Sequence, residues 1–205
     1  RKTADGEGDA RAGRALKRVG ALQREVGRLE GILEDFLRYA RGGEVNRAPE
    51  DLAELITETL SFVEAEDALI GIRHHVDLPP SLPLVLLDKG LLRQALLNLF
   101  VNARQAMLDG GELIVQAQRV GNWVEVTVTD TGVGMDEEAQ SKCFDIYWSN
   151  KKQGTGLGLP TVRRIIEEHE GTLGLVSEPG RGTSIRIDLP LAVEITSHGN
   201  QTEPS

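Results

Sequence analysis

The chain has 205 residues, 40% hydrophobic and 27% charged, with 32 acidic against 23 basic side chains and a net charge of −9. That length can bury one sizeable core with a smaller element beside it, and the acidic balance argues against nucleic-acid binding, which needs a basic face. One cysteine, Cys143, excludes an internal disulfide framework and fits a reducing compartment, and no apolar run reaches the length of a membrane span.

No signal-peptide pattern opens the sequence. It begins at Arg1 rather than Met, so it is expected to be a piece of something longer, with any sensor or membrane segment lying elsewhere. Residues 1–14 are polar and glycine-containing and are expected to be loose. From Ala15 the apolar residues Val19, Leu22, Val26, Leu29, Leu33, Phe36 and Ala40 follow at alternating steps of four and three. This heptad pattern predicts a helix over 15–41, and Leu16, Ile32 and Leu37 widen its face to suit a four-helix bundle. One helix cannot bury such a face alone, which implies a partner helix; Gly42-Gly43 ends it.

Pro49 is expected to open a second helix with Leu52, Leu55, Ile56, Leu60 and Val63 inward. Ile72–Leu78 reads as a strand. Its His74-His75 pair invites a metal hypothesis, but neighbouring strand residues point to opposite faces, so a structural role is expected. Pro79, Pro80 and Pro83 lead stiffly into a short strand, Leu84–Leu87. Asp88 reads as the N-cap of a helix running to about Leu108, with Leu92, Ala95, Leu96, Leu99, Ala103 and Met107 inward. A second stripe, Gln94, Asn98, Asn102 and Gln105, lines one side of that helix with carboxamides. Their oxygens can ligate Mg²⁺ and their NH₂ groups can reach phosphate; an ordinary polar face is the alternative.

Leu113–Arg119 and Val124–Thr129 alternate around Gly121-Asn122 as an antiparallel hairpin. Asp130 then stands at a strand end before Gly132 and Gly134, able to place an acceptor on a pocket floor, although such loops are common. Residues 136–153 read as an irregular stretch whose Phe144, Tyr147, Trp148 and Lys151-Lys152 suit a lid. Gly154-Thr155-Gly156-Leu157-Gly158-Leu159 follows, then Pro160 as the expected first residue of a helix to Glu170. Alternate glycines bare the backbone amides for phosphate oxygens, and a plain flexible loop is the competing reading. His169 falls at that helix's end, where a cation would be favoured. Leu173–Val176 and Ser184–Leu189 make a last hairpin, and a disordered tail is expected over 193–205.

Taken together, these segments resemble the motifs of bacterial sensor histidine kinases, particularly the nitrogen-regulator type. Leu97–Met107 resembles the N box, Asp130–Met135 the first glycine box, Phe144–Lys151 the F box, Gly154–Leu159 the second glycine box and Gly180–Thr183 the last glycine-threonine motif. All five stand in the family's order over about residues 88–190, and Phe36–Arg41 is similar to the end of the second dimerisation helix.

The resemblance implies an α+β fold of the GHKL type, a mixed, mainly antiparallel sheet with helices on one face. The implied division is part of a dimerisation hairpin over 1–43, an ATP-binding catalytic domain over 44–192 and the tail. It implies Mg²⁺ on Asn102, phosphates near Asn98, Gln105 and Lys151, and the adenine amino group on Asp130. Gly132 and Gly134 would pass close to the purine, Thr183 would help close the pocket, and Gly154, Thr155, Gly156, Leu157, Gly158 and Leu159 would form the lid. Asn98 and Lys151 would serve catalysis. The implied activity is transfer of the ATP γ-phosphoryl group to histidine and onward to a response-regulator aspartate, in a cytoplasmic homodimer whose full-length form could be membrane-attached.

One departure matters. The family's acceptor histidine lies in an H box on the first hairpin helix, whereas the histidines here are His74, His75, His169 and His198, none in that context. The chain is therefore expected to lack its own phosphoacceptor. Ser149-Asn150 stands where threonines are usual. Two rivals remain: a GHKL ATPase of the gyrase kind, disfavoured because Asn98 occupies the position of its water-activating glutamate, and a nucleotide-binding module without kinase activity.

Overall fold

The structure, a computed structural model, describes residues 45–151 and 154–192, together with Val19 and Val26. The heptad helix over 15–41, the homodimer it implies, and the tail lie outside the described residues, apart from Val19 and Val26, which are helical and half-exposed. The chain divides into two compact units, one of Glu44–Phe144 with Gly158–Ser205 and one that includes Asp145–Leu157.

The larger unit runs β1 (Ala48–Glu50), α1 (Leu52–Leu69), β2 (Ile72–Asp77), β3 (Val85–Leu87), α2 (Lys89–Ala106), β4 (Gly111–Val120), β5 (Trp123–Asp130), α3 (Glu137–Lys142), α4 (Gly158–Glu168), β6 (Thr172–Glu178) and β7 (Gly182–Pro190). The main sheet has the order β2-β4-β5-β7-β6. Only β2–β4 is parallel, because β3 and α2 intervene between those strands as a crossover. β1 and β3 form a separate two-stranded antiparallel pair.

The period of two decides which face is buried. Leu113, Val115 and Ala117 of β4, Val124, Val126 and Val128 of β5, and Ile185, Ile187 and Leu189 of β7 are buried in one core with the apolar faces of α1, α2 and α4. The alternate residues carry polar cross-strand pairs instead, such as Thr129 Oγ1 with Ser184 Oγ at 2.9 Å and Gln118 Nε2 donating to Glu125 at 2.8 Å. All the inward residues expected of α2 are buried, and Phe100 joins them.

Several boundaries differ from the sequence reading. Pro49 does not open a helix; it sits in β1, where a missing N–H is tolerated at a sheet edge. Asp51 caps α1 instead, its Oδ1 accepting from Ala53 N at 2.9 Å and Glu54 N at 3.0 Å. The stretch 136–153 is not wholly irregular. Asp136 caps α3 through Ala139 N at 2.8 Å, with Glu137 and Glu138 in its first turn and Lys142 in its last, matching the helix dipole. α2 ends at Ala106, two residues short of Leu108. α4 begins at Gly158 rather than Pro160, since a first-turn proline loses no intrahelical bond.

Two buried polar knots tie the helices together. Asp67 on α1 is 1% exposed and takes His74 Nε2 at 2.7 Å and Arg104 Nε, while Arg104 also reaches Glu66. Arg104, inside the asparagine-rich segment of α2, thus serves to neutralise a buried carboxylate. His74 and His75 diverge as expected, His75 lying 3.6 Å from Glu112. His169 differs from the expected C-terminal cation: it is fully buried, Nδ1 faces Ile165 O at 2.6 Å, and Nε2 accepts from Asp88 N–H at 2.9 Å. A ring with one nitrogen accepting and the other donating is a neutral imidazole. It links the end of α4 to the N-cap of α2.

At the surface, the Arg93 guanidinium bonded to Glu58, with Lys89 nearby, holds that carboxyl below its usual range. Arg73 does the same to Glu112, aided by His75. Both effects favour the folded state above the ordinary carboxylate range and fade as pH falls, and exposed pairs of this kind contribute little.

Candidate functional site

β5 delivers Asp130 to the end of the sheet, paired with Thr183 of β7, which in turn pairs with Ser177 of β6. The three lie in one row on the helix-facing side, and exposures of 7%, 9% and 8% make this a buried polar row at the end of an apolar face. Asp130 Oδ1 accepts from Gly132 N–H at 2.9 Å, which turns the chain sharply off the strand. Val133 N–H then donates to Ala106 O at 3.1 Å, and Met135 N–H to Ser177 Oγ at 2.8 Å. Gln140 of α3 fixes the far side, its Nε2 donating to Met135 O at 3.0 Å and Ser177 O at 2.9 Å.

The loop glycines let neighbouring backbone approach closely. A Cβ on Gly132 would stand 2.6 Å from Ala106 O, and one on Gly134 only 2.0 Å from Glu178 O. Their open sides are filled by the chain's own backbone. Gly182, at φ +92°, is tighter still, with Asp130 O 1.9 Å from any Cβ.

On α2, Asn98 and Asn102 are half-buried, whereas Gln105 is exposed, so the carboxamide stripe turns out toward solvent at its C-terminal end. α4 packs on α2, and a Cβ on Gly158 would come 3.3 Å from Asn102 Nδ2. The start of α4, with first-turn N–H groups that have no acceptor within the helix, therefore stands beside the Asn102 carboxamide. Leu159 follows in the same turn. Arg163 lies over the Phe144 ring, 4.1 Å from its centroid.

Taken by itself, the unit containing Asp145–Leu157 folds on its own backbone. Tyr147 N–H donates to Gly156 O at 3.0 Å, Gly154 N–H to Lys151 O at 3.2 Å, and Lys151 N–H to Ser149 Oγ at 3.1 Å. The amides of this glycine run are thus not all bare, since that of Gly154 already has a partner. Thr155 and Leu157 belong to the same segment. Sequence reasoning missed Ser177, Gln140 and Arg104, whose only sign was a polar residue at a position where alternation or helical periodicity called for an apolar one.

The fold is an α+β sandwich. Residues 87–193, more than half the chain, match the family of histidine kinase-, DNA gyrase B- and HSP90-like ATPases, and the chain belongs to that family. It is 35% identical over 171 residues to the sensor histidine kinase ZraS of Klebsiella oxytoca, covering 83% of this chain and 37% of that protein. Sporulation kinase E of Bacillus subtilis is 30% identical over 168 residues, covering 82% and 23%. The crystal structure of full-length ShkA in complex with AMPPNP superposes with a TM-score of 0.74 at 28% identity, covering 86% of this chain and 39% of that one. The chain thus spans well under half the length of these relatives.

Proposed function

We propose that the chain is the catalytic core of a protein-histidine kinase, which binds ATP with Mg²⁺ and passes the γ-phosphoryl group to a histidine outside its own described residues. The observation that carries this reading is the pairing of a buried carboxylate at a strand end, Asp130, with a carboxamide at a helix N-terminus, Asn102 beside Gly158. The first suits a base amino group and the second suits phosphate and a hard cation.

In this reading Asp130 accepts from the adenine amino group and Thr183 closes that end. Asn98 and Gln105 stand on the phosphate side, and Lys151 and the 154–159 run carry the lysine and glycine motifs that the resemblance assigns to the triphosphate. Among the described residues no group of three His, Cys, Asp or Glu could hold a metal. Asn102 would therefore supply one oxygen, with water and phosphate completing the shell. The bound ion would shield the charge on the phosphate oxygens. In the step itself the bond from γ-phosphorus to the bridging oxygen breaks, a P–N bond forms, and ADP leaves.

The acceptor is supplied from elsewhere. Among the described histidines, His74 is held by Asp67, His75 faces Glu112, and His169 is fully buried with both ring nitrogens engaged. Onward transfer to a response-regulator receiver, dimerisation through 15–41 and a cytoplasmic setting complete the proposal. A gyrase-like hydrolase is disfavoured, because Asn98 stands one turn before Asn102 and no acidic residue lies between Gln94 and Leu108 to serve as base.

With a separate H-box hairpin and radiolabelled ATP, the added histidine is expected to acquire label that is lost in acid. An unlabelled hairpin in the presence of tight nucleotide binding would favour a binding module. Asp130→Asn keeps the shape and the Gly132 bond but loses the charge. It is expected to weaken ATP roughly 10- to 100-fold, the value of a hydrogen bond to a charged group, while the melting temperature moves by only a few degrees. Equal affinity by calorimetry would remove Asp130 from the site.

A further inference from the structure

We propose that Ser177 is a positioning residue that sets the direction of the Thr183 hydroxyl and thereby selects a nucleobase offering an amino donor over one offering a carbonyl. The inference rests on the proposed placing of the base against Asp130.

It follows from counting protons. Ser177 Oγ lies 2.8 Å from Met135 N, 2.9 Å from Gly182 O and 2.9 Å from Thr183 Oγ1. A serine hydroxyl has one proton and two lone pairs. The Met135 amide must donate, so one lone pair is taken; the Gly182 carbonyl can only accept, so the Ser177 proton goes there. The contact that remains, with Thr183, can then be made only by the Thr183 proton pointing at the second lone pair of Ser177. Ser177 is fully satisfied in this arrangement, which suits a residue that is 8% exposed.

The consequence appears one strand away. With its proton committed to Ser177, Thr183 presents only lone pairs on its other side. Its pairing partner Asp130 is an acceptor as a carboxylate, so the row offers acceptors alone to whatever lies against it. A 6-aminopurine supplies the matching donor. A 6-oxopurine would set a carbonyl oxygen against these lone pairs, and a site built to receive a donor rejects a ligand without one. Gln140, bonded to the carbonyls of Met135 and Ser177, holds the Met135 amide in the place that forces the sequence of donors.

The test compares ATP and GTP affinities of the full chain by calorimetry. Ser177→Ala frees the Thr183 hydroxyl to turn outward and donate, and the ATP-over-GTP preference is expected to fall about 3- to 10-fold, the size of one neutral hydrogen bond. Ser177→Thr keeps the hydroxyl and is expected to keep the ratio. In a Thr183→Val background, Ser177→Ala should change the ratio no further, which separates this role from mere support of the loop. Should Ser177→Ala not fold, Ser177→Cys takes its place, with a weaker donor and acceptor and the same direction of change. A wild-type preference for ATP that survives Ser177→Ala, or that falls equally with and without Thr183, overturns the role of Ser177 and leaves the base reading standing. A wild-type chain that binds both nucleotides equally overturns the base reading and this inference with it.

Discussion

Asn102→Ala is expected to weaken ATP binding in Mg²⁺ by about 100-fold, the scale on which one charge-stabilising group in a site is felt, and to change it little when the metal is chelated. The asymmetry follows from what the carboxamide does. On the proposed reading its oxygen is the donor to the ion, and the side chain stands beside the start of α4, where a Cβ on Gly158 would come 3.3 Å from Nδ2. Alanine deletes that donor but keeps helix propensity, and the position is only half-buried, so the fold should persist. Calorimetry with and without chelator checks this. Equal affinities for the variant and the parent in Mg²⁺ would show that Asn102 holds no ion.

The second large effect is structural. Gly182→Ala is expected to destabilise the domain by about 3 kcal/mol or more, from a backbone clash and a left-handed conformation together, lowering the melting temperature by roughly 10 °C. The new Cβ would stand 1.9 Å from Asp130 O, so β5 and β7 must part where they carry Asp130 and Thr183, and ATP binding should fall with stability. Gly180, two residues earlier, is the control. It also has a positive φ, +74°, but nothing lies within 4 Å of its would-be Cβ. Gly180→Ala should therefore cost only about 1 kcal/mol, the backbone term alone. Two melting curves decide it: coincident transitions would mean that β7 yields freely at Gly182.

Much of this was legible in the sequence because it is local. The alternation of Leu113–Ala117 and Val124–Val128, the Asp88 cap and the inward stripe of α2 all depend on periods within one element, and all stand in the structure. What local reasoning misplaced depends on partners distant in the chain. Pro49 reads as a helix opener until its pairing with Leu86 is known. His169 reads as a C-terminal cation until the Asp88 amide arrives from 81 residues away. Ser177 gave only the sign of a polar residue at an apolar position, because its role lies in a row across three strands.

That row has an energetic corollary. Aspartate, threonine and serine have few side-chain torsions to freeze, and here all three are already held by the chain's own hydrogen bonds. The entropy of ordering this end is therefore spent when the protein folds, not when a nucleotide arrives. On the proposed reading, Lys151 would forfeit up to about 2 kcal/mol of rotamer freedom on engaging a phosphate. If the row receives the base as proposed, that recognition is rigid and selective, and the phosphate end carries the larger entropic toll.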